Sequence, residues 1–112
     1  MAGPLVTLPG LIPMLDLAAV TADIFTPLIG QNFEVVFTDG RLPLTLAEVR
    51  PLGTARPGAP RAPFALTFHG APKVHLPQHI YRLEHPALEA AEIFLVQIAG
   101  DADAAKFEAV FN

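Results

Sequence analysis

The sequence predicts a mainly β protein: a six-stranded antiparallel small barrel or sandwich with one short N-terminal helix and an extended apolar N-terminal arm. Three observations carry that reading. From Phe33 onward apolar residues recur at period two. Turn-forming residues bound each run. Twelve Pro and eight Gly make 20 of 112 residues, about 18% where about 12% is usual, which suits short strands better than long helices. The length allows one core and a peripheral arm, divided here as an arm over 1–20 and a single β-rich domain over 21–112.

The arm comes first. Residues 1–32 hold only two charges, Asp16 and Asp23, and all seven basic residues lie from Arg41 onward. Leu5, Val6, Leu8, Leu11, Ile12, Met14, Leu15 and Leu17 supply apolar surface, while Pro4, Pro9 and Pro13 favour extended backbone. No Lys or Arg precedes the apolar residues, so a standard signal peptide is not expected. The prolines equally oppose a membrane-spanning helix. Localisation is left open: the expectation is cytoplasmic synthesis, with two routes to a virion or extracellular assembly, later release or export by an unrecognised route. Burying eight large side chains is worth about 12–24 kcal/mol at most. Ordering thirteen residues costs about 13–26 kcal/mol. The arm should therefore be ordered only where it also gains backbone pairing or a groove, on its own barrel or on a neighbouring subunit.

Thr21 to Gly30 reads as a helical turn with Thr21 as N-cap, a break at Pro27, a further turn capped by Thr26, and Gly30 as the stop. Ile24, Phe25, Leu28 and Ile29 form its expected buried side. Phe33, Val35 and Phe37 then alternate with Glu34, Val36 and Thr38, and Asp39-Gly40 supplies a two-residue hairpin turn. Leu42, Leu44 and Leu46 return, with Val49 out of phase, which predicts a bulge near Ala47 and Glu48. The run 51–63 contains four prolines and two glycines and reads as an exposed loop. Phe64, Leu66 and Phe68 form the expected inner face of a third strand, His79, Tyr81 and Leu83 that of a fourth, Ile93 and Leu95 that of a fifth, and Phe107, Ala109 and Phe111 that of a sixth, after a turn over 101–105. In the fifth, Phe94, Val96 and Ile98 make the second face apolar as well, so something should cover it: the helix, the arm or a neighbouring subunit.

The chemistry is sparse. The net charge is −4 and no basic run interleaves with aromatics, which argues against nucleic acid. There is no cysteine, which excludes disulfides, thiolate metal sites and a cysteine nucleophile. Serine is absent too, and no threonine sits in an activating pattern. His69, His75, His79 and His85 fall within seventeen residues, but Pro77 opposes a metal-binding helix between His75 and His79. Glu48, Glu84, Glu89 and Glu92 read as solvated carboxylates. Phosphate-binding glycine loops are missing. No catalytic residue, metal ligand or cofactor is expected.

From Phe33 to Asn112 the runs FEVVF, LTLAEV, PFALTFHG, LPQHIYRLEHPAL, EIFLVQIAG and FEAVFN resemble a small bacterial β-rich domain family of unknown function, met near tail-collar-like and phage-tail-like proteins. Its most specific parts are Tyr81-Arg82-Leu83-Glu84-His85-Pro86 and Ala109-Val110-Phe111-Asn112. The resemblance implies a structural or accessory component and brings no catalytic residues. The proline-broken start departs from it. The expected function is a non-enzymatic structural protein that self-associates into a fibre, tail-like or other extended assembly. Its expected interface is Leu5, Val6, Leu8, Leu11, Ile12, Met14, Leu15 and Leu17 of the arm with Phe94, Val96 and Ile98 of the sheet; its expected partners are copies of itself, with tail-collar-like or other structural proteins as a further option. The alternatives are a monomeric or dimeric binding module for a protein or apolar ligand, and a histidine-dependent metal site.

Overall fold

The computed structural model describes residues 14–59, 61–100 and 103–112. Six antiparallel strands, β1 (Asn32–Phe37), β2 (Gly40–Pro51), β3 (Phe64–Gly70), β4 (His79–His85), β5 (Leu88–Gly100) and β6 (Ala105–Phe111), close into a barrel in the order β1-β2-β3-β6-β5-β4. Of the two architectures the alternation allowed, the chain adopts the barrel. Closure follows from β4 crossing back to pair with β1, Val35 opposite Leu83.

Alternation decides what fills it. Phe33, Val35, Leu44, Leu46, Leu66, Phe68, Leu83, Ile93, Leu95 and Phe107 are all essentially inaccessible, and Phe33 meets Phe68 edge to face at 5.4 Å. The barrel interior is thus packed with side chains. At one mouth a Cβ on Gly70 would lie 2.9 Å from Leu44 Cδ2, so β3 passes this close only without a side chain.

The β1–β2 hairpin forms, but Phe37 pairs with Gly40, so the turn residues are Thr38-Asp39 and not Asp39-Gly40. Neither has positive φ, so the turn is not the type I′ that an Asp-Gly pair would favour. Pro43 is tolerated because β3 pairs with β2 only from Thr45 onward, leaving its nitrogen side without a ladder to join. The expected bulge falls between Leu46 and Glu48 and returns Val49 to the inner side opposite Leu66.

Ahead of the barrel, α1 (Ala22–Phe25) runs into a 3-10 turn over Thr26–Leu28. Thr21 is the N-cap residue by position but makes no side-chain capping bond. Thr26 Oγ1 donates back to the Ala22 carbonyl (3.0 Å) instead of capping a second turn. Phe25 and Leu28 are buried, Ile24 is half-buried and Ile29 is exposed, because Gly30 at φ +90° turns the chain away after Leu28. The helix does not cover the outer face of β5. Phe25 instead plugs one end of the barrel, 6.0 Å from Phe64 and 5.9 Å from Phe111, which themselves stack at 4.8 Å. The other end is closed by the 71–78 loop, whose Leu76 N–H and Val74 carbonyl bond the Gln97 side chain at 3.0 Å each.

Candidate interaction surface

With the interior filled, the outside of the barrel carries what chemistry there is, and it divides in two. Over β1, β2 and β4 it is charged. Glu34 and Glu84 stand directly opposite each other. Arg41 Nη1 donates to both at 2.9 Å, and Arg82 Nε donates to the second oxygen of Glu84 at 3.0 Å. The hydrogen bond from Arg82, then that from Arg41, holds the Glu84 carboxyl below the usual carboxylate range. The same carboxylates, Glu84 first, raise Arg41. Arg50 and Glu108 similarly meet at 2.8 Å across β3, over the buried outward side chains of Ala65 and Thr67.

Over the ends of β4, β5 and β6 that lie beyond Arg82, Glu92 and Glu108 the outside turns apolar. Ile80 pairs with Phe94. The antiparallel register that sets Val96 against Glu108 carries Phe94 toward Val110. All three are about half exposed, at 55%, 48% and 52%, although each neighbours a buried residue in its strand. Further along, Val96 is half-buried and Ile98, the extra residue of a bulge between Gln97 and Ala99, is 50% exposed.

The described part of the arm borders this strip. Met14 bridges Ala90 in parallel, Leu15 N–H donates to the Ala90 carbonyl at 2.8 Å, and Leu15 and Leu17 pack on the core. Leu17 joins Ile80, Phe94 and Val110 around one recess. Leu5, Val6, Leu8, Leu11 and Ile12 lie outside the described residues. The root of the arm is held by Arg61, whose Nη1 donates to the carbonyls of Leu17 (2.6 Å) and Val20 (2.7 Å), and whose Nε donates to that of Asn112 (3.0 Å). Its guanidinium also lies 5.7 Å and 5.6 Å from the ring centres of Phe64 and Phe111.

Sequence reasoning missed three residues here. Ile80 and Val110 alternate with inward residues and were available to the same two-sided test that singled out Phe94. Arg61 had no local signal: it sits in a proline-rich loop, and the carbonyls it bonds are 41 to 51 residues away in sequence.

The histidines do not converge. His69 lies on the outer side of β3 opposite Lys106, His75 is exposed in the loop, and His79, expected on the inner face of β4 with Tyr81 and Leu83, is instead exposed because β4 starts there at the barrel mouth, its ring 5.6 Å from Tyr81. His85 is buried. Its Nδ1 accepts from the Ala87 N–H (3.0 Å) and its Nε2 faces Gln31 Oε1 at 2.7 Å, so it builds the β4–β5 turn as an Nε2-protonated ring. Among the described residues no group of three or more His, Asp or Glu is placed to hold a metal ion, and no helix is long and apolar enough to cross a membrane. Burial raises the hydroxyl pKa of Tyr81, which donates to the Pro77 carbonyl at 2.5 Å.

These features define a small side-chain-filled antiparallel β-barrel domain, plugged by a short helix and carrying one charged and one apolar outer strip. Residues 20–111 match the family described as Domain of unknown function (DUF6916), and the chain belongs to that family. The matched residues begin at Val20, so the apolar arm lies outside them. Neither a curated protein nor a solved structure matches the chain.

Proposed function

We propose that this chain is a non-enzymatic structural protein that self-associates, the apolar N-terminal segment of one copy docking on the outer β4-β5-β6 strip of the next. The observation that supports it is the row Ile80, Phe94 and Val110, half exposed side by side on a barrel whose neighbouring outer face is charged. Contiguous apolar surface of this kind marks interaction sites. Donor segment and acceptor strip differ, so the contact is head to tail and generates a ring or a filament. The sequence resemblance adds a setting, a tail-like particle with tail-collar-like partners.

Light scattering with negative-stain imaging tests this. The purified chain is expected as uniform rods or rings far above 11.9 kDa. Phe94→Glu, and a chain beginning at Met14, are expected as folded single copies. The cut falls before Met14 because Leu15 and Leu17 belong to the core packing and to the Arg61 contacts. A native chain that stays as one or two copies at high concentration overturns the reading and favours the binding module.

A further inference from the structure

β5 and β6 are paired over only part of their length. Their ladder joins Val96–Gly100 to Ala105–Glu108, yet β5 begins at Leu88 and β6 continues to Phe111. Among the described residues, β5 over Ala91–Leu95 is paired with β4 alone, and β6 over Ala109–Phe111 with β3 alone. Met14 and Leu15 occupy only the Ala90 end of the opening. A recess of about 330 Å³ lies along it, lined by Leu17, Ile80, Phe94 and Val110 with Arg61 and Glu92 among others. An otherwise closed barrel thus keeps a short length of strand edge, the feature that closure normally removes.

We propose that this seam is a strand-addition site that receives Leu5–Leu8 of a second copy, so that backbone pairing joins the apolar contact; the inference rests on the self-association reading above. Length supports it. Leu5-Val6-Thr7-Leu8 is the longest stretch free of Pro and Gly within residues 1–13, and a proline inside it would remove a ladder donor. It suits an opening of five residues on β5 and three on β6.

Chemistry matches as well. The seam is apolar inward at Ile93 and Ala109 and mostly apolar outward, where Phe94 and Val110 stand beside the exposed Glu92. A strand lying there needs two apolar sides, and Leu5, Val6 and Leu8 supply both. Residues 1–13 carry no charged side chain, so an incoming strand brings no charge of its own to bury beside Phe94, and Glu92, exposed on the same outer side of β5, stays at the solvent edge of the contact. Thirteen residues reach roughly 43–47 Å at full extension, nearly three times the 15.3 Å radius of gyration, enough to bridge adjacent copies.

Hydrogen exchange on the full chain, below and above its association concentration, tests the site. The amides on the free side of Ala91–Leu95 and Ala109–Phe111 are expected to slow about tenfold or more on association. Thr7→Pro is expected to weaken association by about tenfold or more, and Thr7→Val to leave it intact. Protection that is equal at both concentrations places the segment on its own copy and overturns the second-copy assignment. Assemblies that leave those amides unprotected, or that form equally well with Thr7→Pro, overturn strand addition while self-association stands. A chain that never exceeds two copies overturns both.

Discussion

The two outer strips of the barrel are built on the same pleat over the same interior, and they resolve the problem of being outside in opposite ways. Over β1, β2 and β4, Glu34 and Glu84 are set directly opposite each other, a pairing that repels. Arg41 removes the conflict by bonding both at 2.9 Å. Over β4, β5 and β6 the equivalent cross-strand positions are Ile80, Phe94 and Val110, left half exposed. The first strip is complete within one chain. The second is incomplete, since apolar area left in water contributes little to the fold that presents it. Closing the barrel therefore does not dictate its outer chemistry, and the apolar row is the surface that the proposed self-association would use.

The largest effect expected is one that ignores the division. Phe25→Ala empties the aromatic plug against Phe64 and Phe111 and should cost about 3–5 kcal/mol in urea unfolding, while both strips keep their character. Arg61→Ala comes next, at about 2 kcal/mol, because three carbonyls and two rings lose one cation. Arg61→Lys should recover little of that, since an ammonium lacks the planar fork. Phe94→Ser should change the stability of the single chain by less than about 0.5 kcal/mol and still abolish association. Arg41→Ala should do the reverse, lowering the urea midpoint slightly and leaving association intact. Loss of association in Arg41→Ala would break the division between the strips.

The division also marks where the sequence could be read. Strands and bulge were legible because large apolar side chains recur at every second residue, and Val49 out of phase with Leu42, Leu44 and Leu46 pointed to an inserted residue. The two-sided fifth strand was legible for the same reason. The hairpin turn shifted by one residue because the β1–β2 register pairs Phe37 with Gly40, and strand pairing outweighed the turn preference of Asp39-Gly40. The helix was placed correctly in sequence but not in space: nothing local says that Phe25 will cap the barrel end and leave Phe94 uncovered. Arg61 and the split between β5 and β6 arise only when distant segments meet, so no spacing within one segment could have announced them.

Titration offers the finest probes. Tyr81 is the one tyrosine and tryptophan is absent, so its ionisation can be followed by ultraviolet absorbance alone. Burial raises its folded pKa. The neutral hydroxyl's contribution is therefore full below the unfolded value near 10 and is lost as pH rises through the folded one, so the native chain should ionise later than the chain in urea. Glu84 has the opposite sign. Its folded pKa is lowered, first by the Arg82 hydrogen bond and then by that of Arg41. Its contribution is present above the ordinary carboxylate value and fades as pH falls through the lowered folded one. Carboxyl NMR should show Glu84 titrating below an unpaired glutamate, moving up in Arg82→Ala and in Arg41→Ala. Phe94→Ser should leave the Glu84 midpoint where it is. A shift there would mean that the charged strip senses the apolar one, and that the two faces are not independent.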